Sequence, residues 1–141
     1  HMCLYATQSY LDAHGEPSSL EDMSAHRLIC QNPRSAQVGA GAMLVNELMT
    51  NDISSLLTVN NYFGVLQGVL NDLGIGVLPD YLIRDFPQLV RVLPEVQSVE
   101  VPVFLAYPEE LRHSKRIAAF RDFVQDEIIS YRKTVKEQAV S

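Results

Sequence analysis

The chain has 141 residues, 47% of them hydrophobic, with 17 Asp or Glu against 11 Lys or Arg and a formal charge of −6. That length supports one domain or two small lobes, and no apolar run nears the roughly 18 residues of a membrane span, nor does a charged-then-apolar leader open the chain. The acidic excess lies in residues 1–100, with four Lys or Arg against eleven Asp or Glu, while residues 101–141 hold seven against six; no basic cluster with interleaved aromatics offers a nucleic-acid footprint.

Residues 1–3 read as a tag remnant and the start of the natural chain. Leu4–Ala6 is a short strand, after which Ser9 caps a brief helix over Tyr10–His14 that Gly15 and Pro17 end. Ser18 and Ser19 start a second short helix, Leu20–Ala25, with Glu21 and Asp22 in its first turn where they suit the dipole. Arg27–Gln31 is a strand broken by Asn32 and Pro33. Residues 34–53 are ambiguous, because Ala42–Met49 has helical and strand character together. Gly39 and Gly41 are read as a turn, since no third glycine completes a dinucleotide fingerprint.

Ser54–Val59 is a strand rich in apolar and β-branched residues. The helix after it carries apolar residues at 62, 63, 65, 66, 69, 70 and 73, a wide stripe at helical spacing. Gly64 and Gly68 leave a smooth patch for a neighbouring backbone, and Asp72 or Gly74 supplies the left-handed exit. Ile75–Leu78 is short and wholly apolar, as in a buried parallel strand. Pro79 fits the first turn of a helix to about Arg84. Leu89–Leu93 is a strand closed by Pro94. Val99–Tyr107 is an edge strand, because Pro102 cannot donate to a ladder. Ser114 caps the last helix, where Ile117, Phe120, Val124, Ile128 and Tyr131 repeat every three to four residues beside Phe123. From about Lys133 the tail is polar and frayed. Alternating strands and helices give an α/β fold with a mixed, largely parallel sheet.

Chemistry is sparse. Cys3 and Cys30 are 27 residues apart in apolar company, which reads as two reduced thiols and leaves a disulfide open. His14, His26 and His113 have no partner at metal spacing and no neighbouring nucleophile, so they read as surface or capping residues. No G-x-S-x-G, P-loop or H-E-x-x-H occurs, and Glu109-Glu110 is a solvated pair. No enzyme, metal or cofactor is expected. Asn60-Asn61 differs in kind. Two short amides can cap a helix, and the same position leaves free N–H groups at a strand's carboxyl edge, where open α/β sheets bind ligands. Tyr62 and Phe63 could flank such a ligand or belong to the core.

These residues resemble the effector-sensing region of LysR-type transcriptional regulators. Leu4, Tyr5, Ala6, Tyr10, Leu11, Gly15 and Pro17 are similar to the crossing into that family's second lobe. Leu20, Glu21, Asp22, Met23, His26, Arg27, Leu28 and Ile29 are similar to the helix and strand that follow. The most specific part runs from Thr58-Val-Asn-Asn61 to Leu73-Gly-Ile-Gly-Val-Leu-Pro79 with Tyr81 and Leu82. Leu89–Pro94, Ala106–Pro108 and Ile117, Phe120 and Phe123 complete it, over roughly residues 4–130. Asp72 departs from the pattern, standing where the family has glycine, and residues 34–53 match nothing sharply.

The resemblance implies a type 2 periplasmic-binding-protein-like fold with a small, organic and anionic effector in a cleft between two α/β lobes. It implies that residues 4–98 form the second lobe, that 99–131 return a strand and the last helix to the first, and that 132–141 are a frayed tail. It places Thr7, Gln8, Asn60, Asn61 and Tyr62 at the effector site. It also implies a cytoplasmic regulator whose DNA-reading domain lies outside this chain, and no membrane partner. One strand and one helix cannot bury their own apolar faces, so self-association is expected, with exchange of the C-terminal segment as one route. A transport-type solute-binding protein, which shares the fold, is the alternative.

Overall fold

A computed structural model describes residues 1–32, 39–50, 55–102 and 104–138. The chain divides into two compact units, His1–Val101 and Pro102–Ser141.

The first unit is built around β1 (Met2–Thr7), whose six residues are all buried. The further strands are β2 (Leu28–Gln31), β3 (Ser55–Val59), β4 (Ile75–Pro79) and β5 (Leu89–Gln97). They form one sheet in the order β3-β2-β4-β1-β5. β2 runs parallel to β3 and β4, while β1 is antiparallel to both β4 and β5. Four strands therefore point one way and β1 alone opposes them. Their carboxyl ends share one edge with Met2, which pairs with Pro79, while Thr7 lies at the other edge, opposite Leu89.

Side-chain alternation explains why apolar runs suffice for these strands. Met2, Leu4, Ala6, Leu28, Cys30, Ile75 and Val77 face one core, with α1 (Gln8–His14) contributing Tyr10 and Leu11, and α2 (Gly39–Thr50) contributing Leu44, Val45 and Leu48. Cys3, Tyr5, Ile29 and Leu78 face the other core, covered by Val65, Leu66 and Val69 of α3 (Tyr62–Leu70). Cys3 and Cys30 belong to opposite faces, and both are free and buried. The disulfide left open from sequence is absent.

α3 leaves through Asp72, which adopts φ 57°. Its Oδ1 accepts the hydroxyls of Thr7 and of Ser9, the latter at 2.7 Å. These bonds, Thr7's first, hold its carboxyl below the usual carboxylate range. A short polar side chain is what lets a non-glycine residue occupy this conformation. Gly74 is required for a different reason. A Cβ there would overlap the Arg27 carbonyl oxygen, and the Ile75 N–H donates to that same oxygen at 2.8 Å.

Several local expectations need correction. Thr7, rather than Ser9, caps α1, its Oγ1 accepting from the Tyr10 N–H at 3.2 Å. Gly39 and Gly41 lie in α2 instead of a turn, because Leu44, Val45 and Leu48 bury one helical face. Pro79 ends β4, and the turn that follows is a 3-10 helix over Asp80–Asp85. Pro94 does not close β5 but sits inside it. Leu4 pairs with Val92 and Cys3 with Gln97, so residues 93–96 bulge from the ladder, with Leu93 at φ 46°. An edge strand with a bulge tolerates a residue without an N–H. Arg91 Nη2 fastens the bulge by donating to Pro94 O and Gln97 Oε1, each at 2.7 Å. The expectations at Pro33 and Ser54 fall outside the described residues.

The second unit holds a 3-10 turn, Glu109–Leu111, and α4 (Lys115–Gln138). Among its described residues, and in 99–101 before it, there is no strand. The strand expected over Val99–Tyr107 is thus not formed, since no ladder partner offers itself and Pro102 withholds a donor. The Ser114 carbonyl accepts the Ala118 N–H at 3.0 Å. α4 continues to Gln138, past the fraying point expected near Lys133. Phe120, Phe123, Ile128 and Ile129 are exposed along it. No described helix is long and apolar enough to cross a membrane.

His26 is a buried polar residue hydrogen-bonded through its ring. The Arg27 N–H donates to the Tyr10 hydroxyl oxygen at 3.3 Å, and that hydroxyl lies 3.3 Å from His26 Nδ1. The hydroxyl can donate to Nδ1 or accept a second hydrogen bond from it, so the direction of that bond follows the imidazole tautomer. Burial, and then the nearby His14, lower its pKa against the opposing pull of Asp22.

Two outcomes are expected. Gly74→Ala should lose about 1–3 kcal/mol through overlap with backbone, seen as a lower urea midpoint at unchanged slope. Gly64→Ala should lose less, since its new Cβ meets only the Val59 side chain, at 3.1 Å, and alanine is favoured in a helix by up to about 1 kcal/mol. For His26, the folded pKa lies below the unfolded one. Its stabilisation is complete above about pH 6.5, the unperturbed value, and drains away as pH falls toward the depressed folded pKa. His26→Gln should flatten the pH dependence of the urea midpoint just below about pH 6.5.

Candidate ligand-binding site

At the carboxyl edge of the parallel strands lies a pocket of about 260 Å³, lined by Gln31, Asn60, Asn61, Tyr62, Phe63, Tyr81 and Leu82. Three chain segments build it. β2 ends in Gln31, the Asn60-Asn61 link joins β3 to α3, and the 3-10 turn after β4 contributes Tyr81 and Leu82.

The link is ordered by its own amides. Asn61 is extended, at φ −150° and ψ 159°, and its Oδ1 accepts the Gly64 N–H at 2.8 Å, an N-cap. Its Nδ2 donates to Asn60 Oδ1 at 2.9 Å, and Gln31 Nε2 donates to the Asn60 carbonyl at 3.0 Å. A single capping side chain serves one of the four amides that open a helix. The remaining N–H groups of the first turn, with the positive end of the helix dipole, face the strand edge.

Two polar atoms in this lining stand out. Gln31 is 6% exposed, yet its Oε1 is buried without a hydrogen-bond partner. The Tyr62 hydroxyl is in the same condition. Burial, followed by the influence of Tyr81, pushes the Tyr62 pKa up, so this hydroxyl keeps its proton. Buried polar atoms without partners are uncommon, and each carries a desolvation penalty. Around them Phe63 is 70% and Tyr81 55% exposed, an aromatic surface beside a small polar floor.

The five residues expected at the site do not come together. Asn60, Asn61 and Tyr62 line the pocket. Thr7 and Gln8 do not, because β1 runs against its neighbours and carries them to the amino edge of the parallel strands. There Thr7 caps α1, and Gln8 Nε2 donates to Asp12 at 2.9 Å. Sequence reasoning passed over Gln31, Tyr81 and Leu82. Gln31 offered one signal, a lone polar residue ending an apolar run. Among the described residues no group of three His, Cys, Asp or Glu side chains could hold a metal. His14 stacks on Tyr10 at 4.3 Å, and His26 belongs to the same buried network. Glu109 and Glu110 are exposed, the former paired with Arg112 at 3.2 Å.

Comparison with known proteins adds the following. The family model described as "LysR substrate binding domain" matches residues 1–128. A curated relative, the uncharacterized HTH-type transcriptional regulator YhjC of Escherichia coli, is 27% identical over 124 residues, covering 84% of this chain and 42% of its own length. The regulatory domain of CrgA, a LysR-type transcriptional regulator from Neisseria meningitidis, superposes with a TM-score of 0.70 at 23% identity, covering 89% of this chain and 63% of that one. The regulatory domain of AphB from Vibrio vulnificus reaches 0.63 at 22% identity, with the same coverage of both chains. The chain thus spans less than half of the curated relative and under two thirds of the regulatory domains it matches.

The capping role of Asn61 predicts a measurable loss. Asn61→Ala should destabilise the chain by about 1 kcal/mol, and Asn60→Ala, whose side chain makes no cap bond, by distinctly less. Thermal or urea unfolding of both variants checks the ranking.

Proposed function

The chain belongs to the LysR substrate-binding domain family, with a type 2 periplasmic-binding-protein-like fold, and on that premise we propose that it senses a small organic effector in the pocket of Gln31, Asn60, Asn61 and Tyr62. The observation that carries this reading is the pocket itself, which gathers Gln31, Asn60, Asn61 and Tyr62 at the carboxyl edge of the parallel strands beside the α3 N-terminus. The positive end of that helix suits an anionic group. Effector binding biases the arrangement of the lobes, and that bias is the regulatory output. Contact with DNA falls to a separate domain of the whole cytoplasmic regulator, consistent with the curated relative's description as an HTH-type transcriptional regulator. The same description favours regulation over solute transport and over catalysis.

Self-association is part of the same proposal. Phe104 is 83% exposed, and the α4 residues Phe120, Phe123, Ile128 and Ile129 are also open. Apolar surface of this kind marks an interaction face, and we assign it to a second copy of this chain. Sedimentation at micromolar concentration should give a dimer or larger species, and Phe120→Ser with Phe123→Ser should shift it toward monomer. A compact monomer of the native sequence overturns this assignment.

A thermal-shift screen of small organic acids on the whole regulator tests the sensing role. A true effector stabilises by about 2.7 kcal/mol at a hundredfold excess over its Kd. Asn60→Ala and Tyr62→Ala should each abolish most of the response. An unchanged response in both variants places the site elsewhere.

A further inference from the structure

Asp72 holds a left-handed conformation, φ 57°, that glycine meets at lower cost, so the carboxylate is what an aspartate adds here. Its Oδ1 accepts from the Thr7 hydroxyl and, at 2.7 Å, from the Ser9 hydroxyl. Thr7 directs its one hydroxyl proton to Asp72, which leaves lone pairs for the Tyr10 N–H at 3.2 Å, the cap of α1. The α1 cap is thus oriented by a residue 65 positions downstream. No acidic residue lies in the first turn of α1 itself, and Asp72 brings a carboxylate there from outside, where it suits the dipole. These bonds join two layers. Tyr10 and Leu11 of α1 pack in one core, and Val65, Leu66 and Val69 of α3 in the other, so Asp72 links them around the amino edge of the parallel strands. α3 is about 13 Å long, and its other end forms the pocket wall at Asn61, Tyr62 and Phe63. Toward β2 and β3 it presents Gly64 and Gly68, where an added Cβ would meet Val59 at 3.1 Å and Ile29 at 3.0 Å. Glycines offer no side chain to fix a helix along its axis, so the ties at its two ends carry more of that task, the Asn61 cap at one and Asp72 at the other.

We propose that Thr7, Ser9 and Asp72 form a clasp between the α1 and α3 layers, and that Asp72 is a positioning residue for the end of α3 at the pocket. The clasp acts on the geometry of the pocket and makes no demand on what the pocket binds. Breaking it loosens α1 at its cap and lets α3 shift along its axis, so the Asn61 cap at the far end opens more often.

The test is amide hydrogen exchange of the full 141-residue chain, read by NMR. Asp72→Gly keeps the left-handed exit without strain and removes the carboxylate. The Tyr10 N–H should then exchange about three- to tenfold faster, the weight of one hydrogen bond. The Gly64 and Val65 N–H groups, which bond to Asn61 at 2.8 Å and 3.4 Å, should follow by about twofold or more. The Ser98 N–H, bonded to Met2 O away from the clasp, should not change. Asp72→Asn keeps an acceptor and should fall between the native chain and Asp72→Gly. Ser9→Ala removes one clasp bond at an exposed helical position that alanine favours, so it keeps the test sound if Asp72→Gly disturbs the exit; it should quicken exchange at Tyr10 and Gly64 by a smaller factor. If Asp72 only ends α3, glycine serves as well, and unchanged exchange at Tyr10, Gly64 and Val65 in both variants overturns the proposal. Faster exchange at Tyr10 alone overturns the positioning role. An equal rise at Ser98 marks a general loss of stability and overturns it too.

Discussion

The first unit depends on one buried strand that runs against its neighbours. β1 lies between β4 and β5, and every one of its residues is covered on both faces. Its odd and even side chains enter different cores, so a slip by one position would exchange Cys3 and Tyr5 with Leu4 and Ala6 throughout. Register is held from both ends. Met2 donates its N–H to Ser98 Oγ at 2.8 Å, and Thr7 ties the far end to Asp72. The remaining four strands are thereby aligned, with their carboxyl ends on a common edge.

That alignment accounts for the site. Three segments far apart in sequence end or turn at this edge, and each brings a different chemical group. β2 brings the Gln31 side chain, the link after β3 brings helix amides, and the turn after β4 brings an aromatic ring. The Asn60 carbonyl is the junction, since it receives Gln31 while the side chain of the same residue receives Asn61. Groups held by hydrogen bonds to one another, and seated on strand ends, are preorganised.

The five strands of the sheet and the helix over α3 were legible because they follow from periodicity, a property of neighbouring residues. The capping role of Asn61 was legible for the same reason. The direction of β1 was not. Nothing in Leu4–Ala6 says whether the strand runs with or against its partners, and that one bit puts Thr7 and Gln8 at the edge opposite the pocket. α2 was ambiguous because its glycines lower helix propensity, and only the buried face of Leu44, Val45 and Leu48 decides the matter. Gln31 was overlooked because a polar residue ending a strand normally meets water. Its side chain instead donates to the Asn60 carbonyl, 29 positions later.

The placement of β1 also governs the order in which the first unit can assemble. β2, β3, α3 and β4 lie within about fifty residues of one another and can condense through relatively local contacts. β1 must wait, because both of its ladders are made with strands more than seventy positions downstream at the Met2–Pro79 and Cys3–Gln97 pairs. Such separations raise the contact order and slow folding. Until β1 docks, the α/β core has an open seam at β4, an unpaired edge of the kind that invites intermolecular pairing. The strand that begins the unit is the one that closes it.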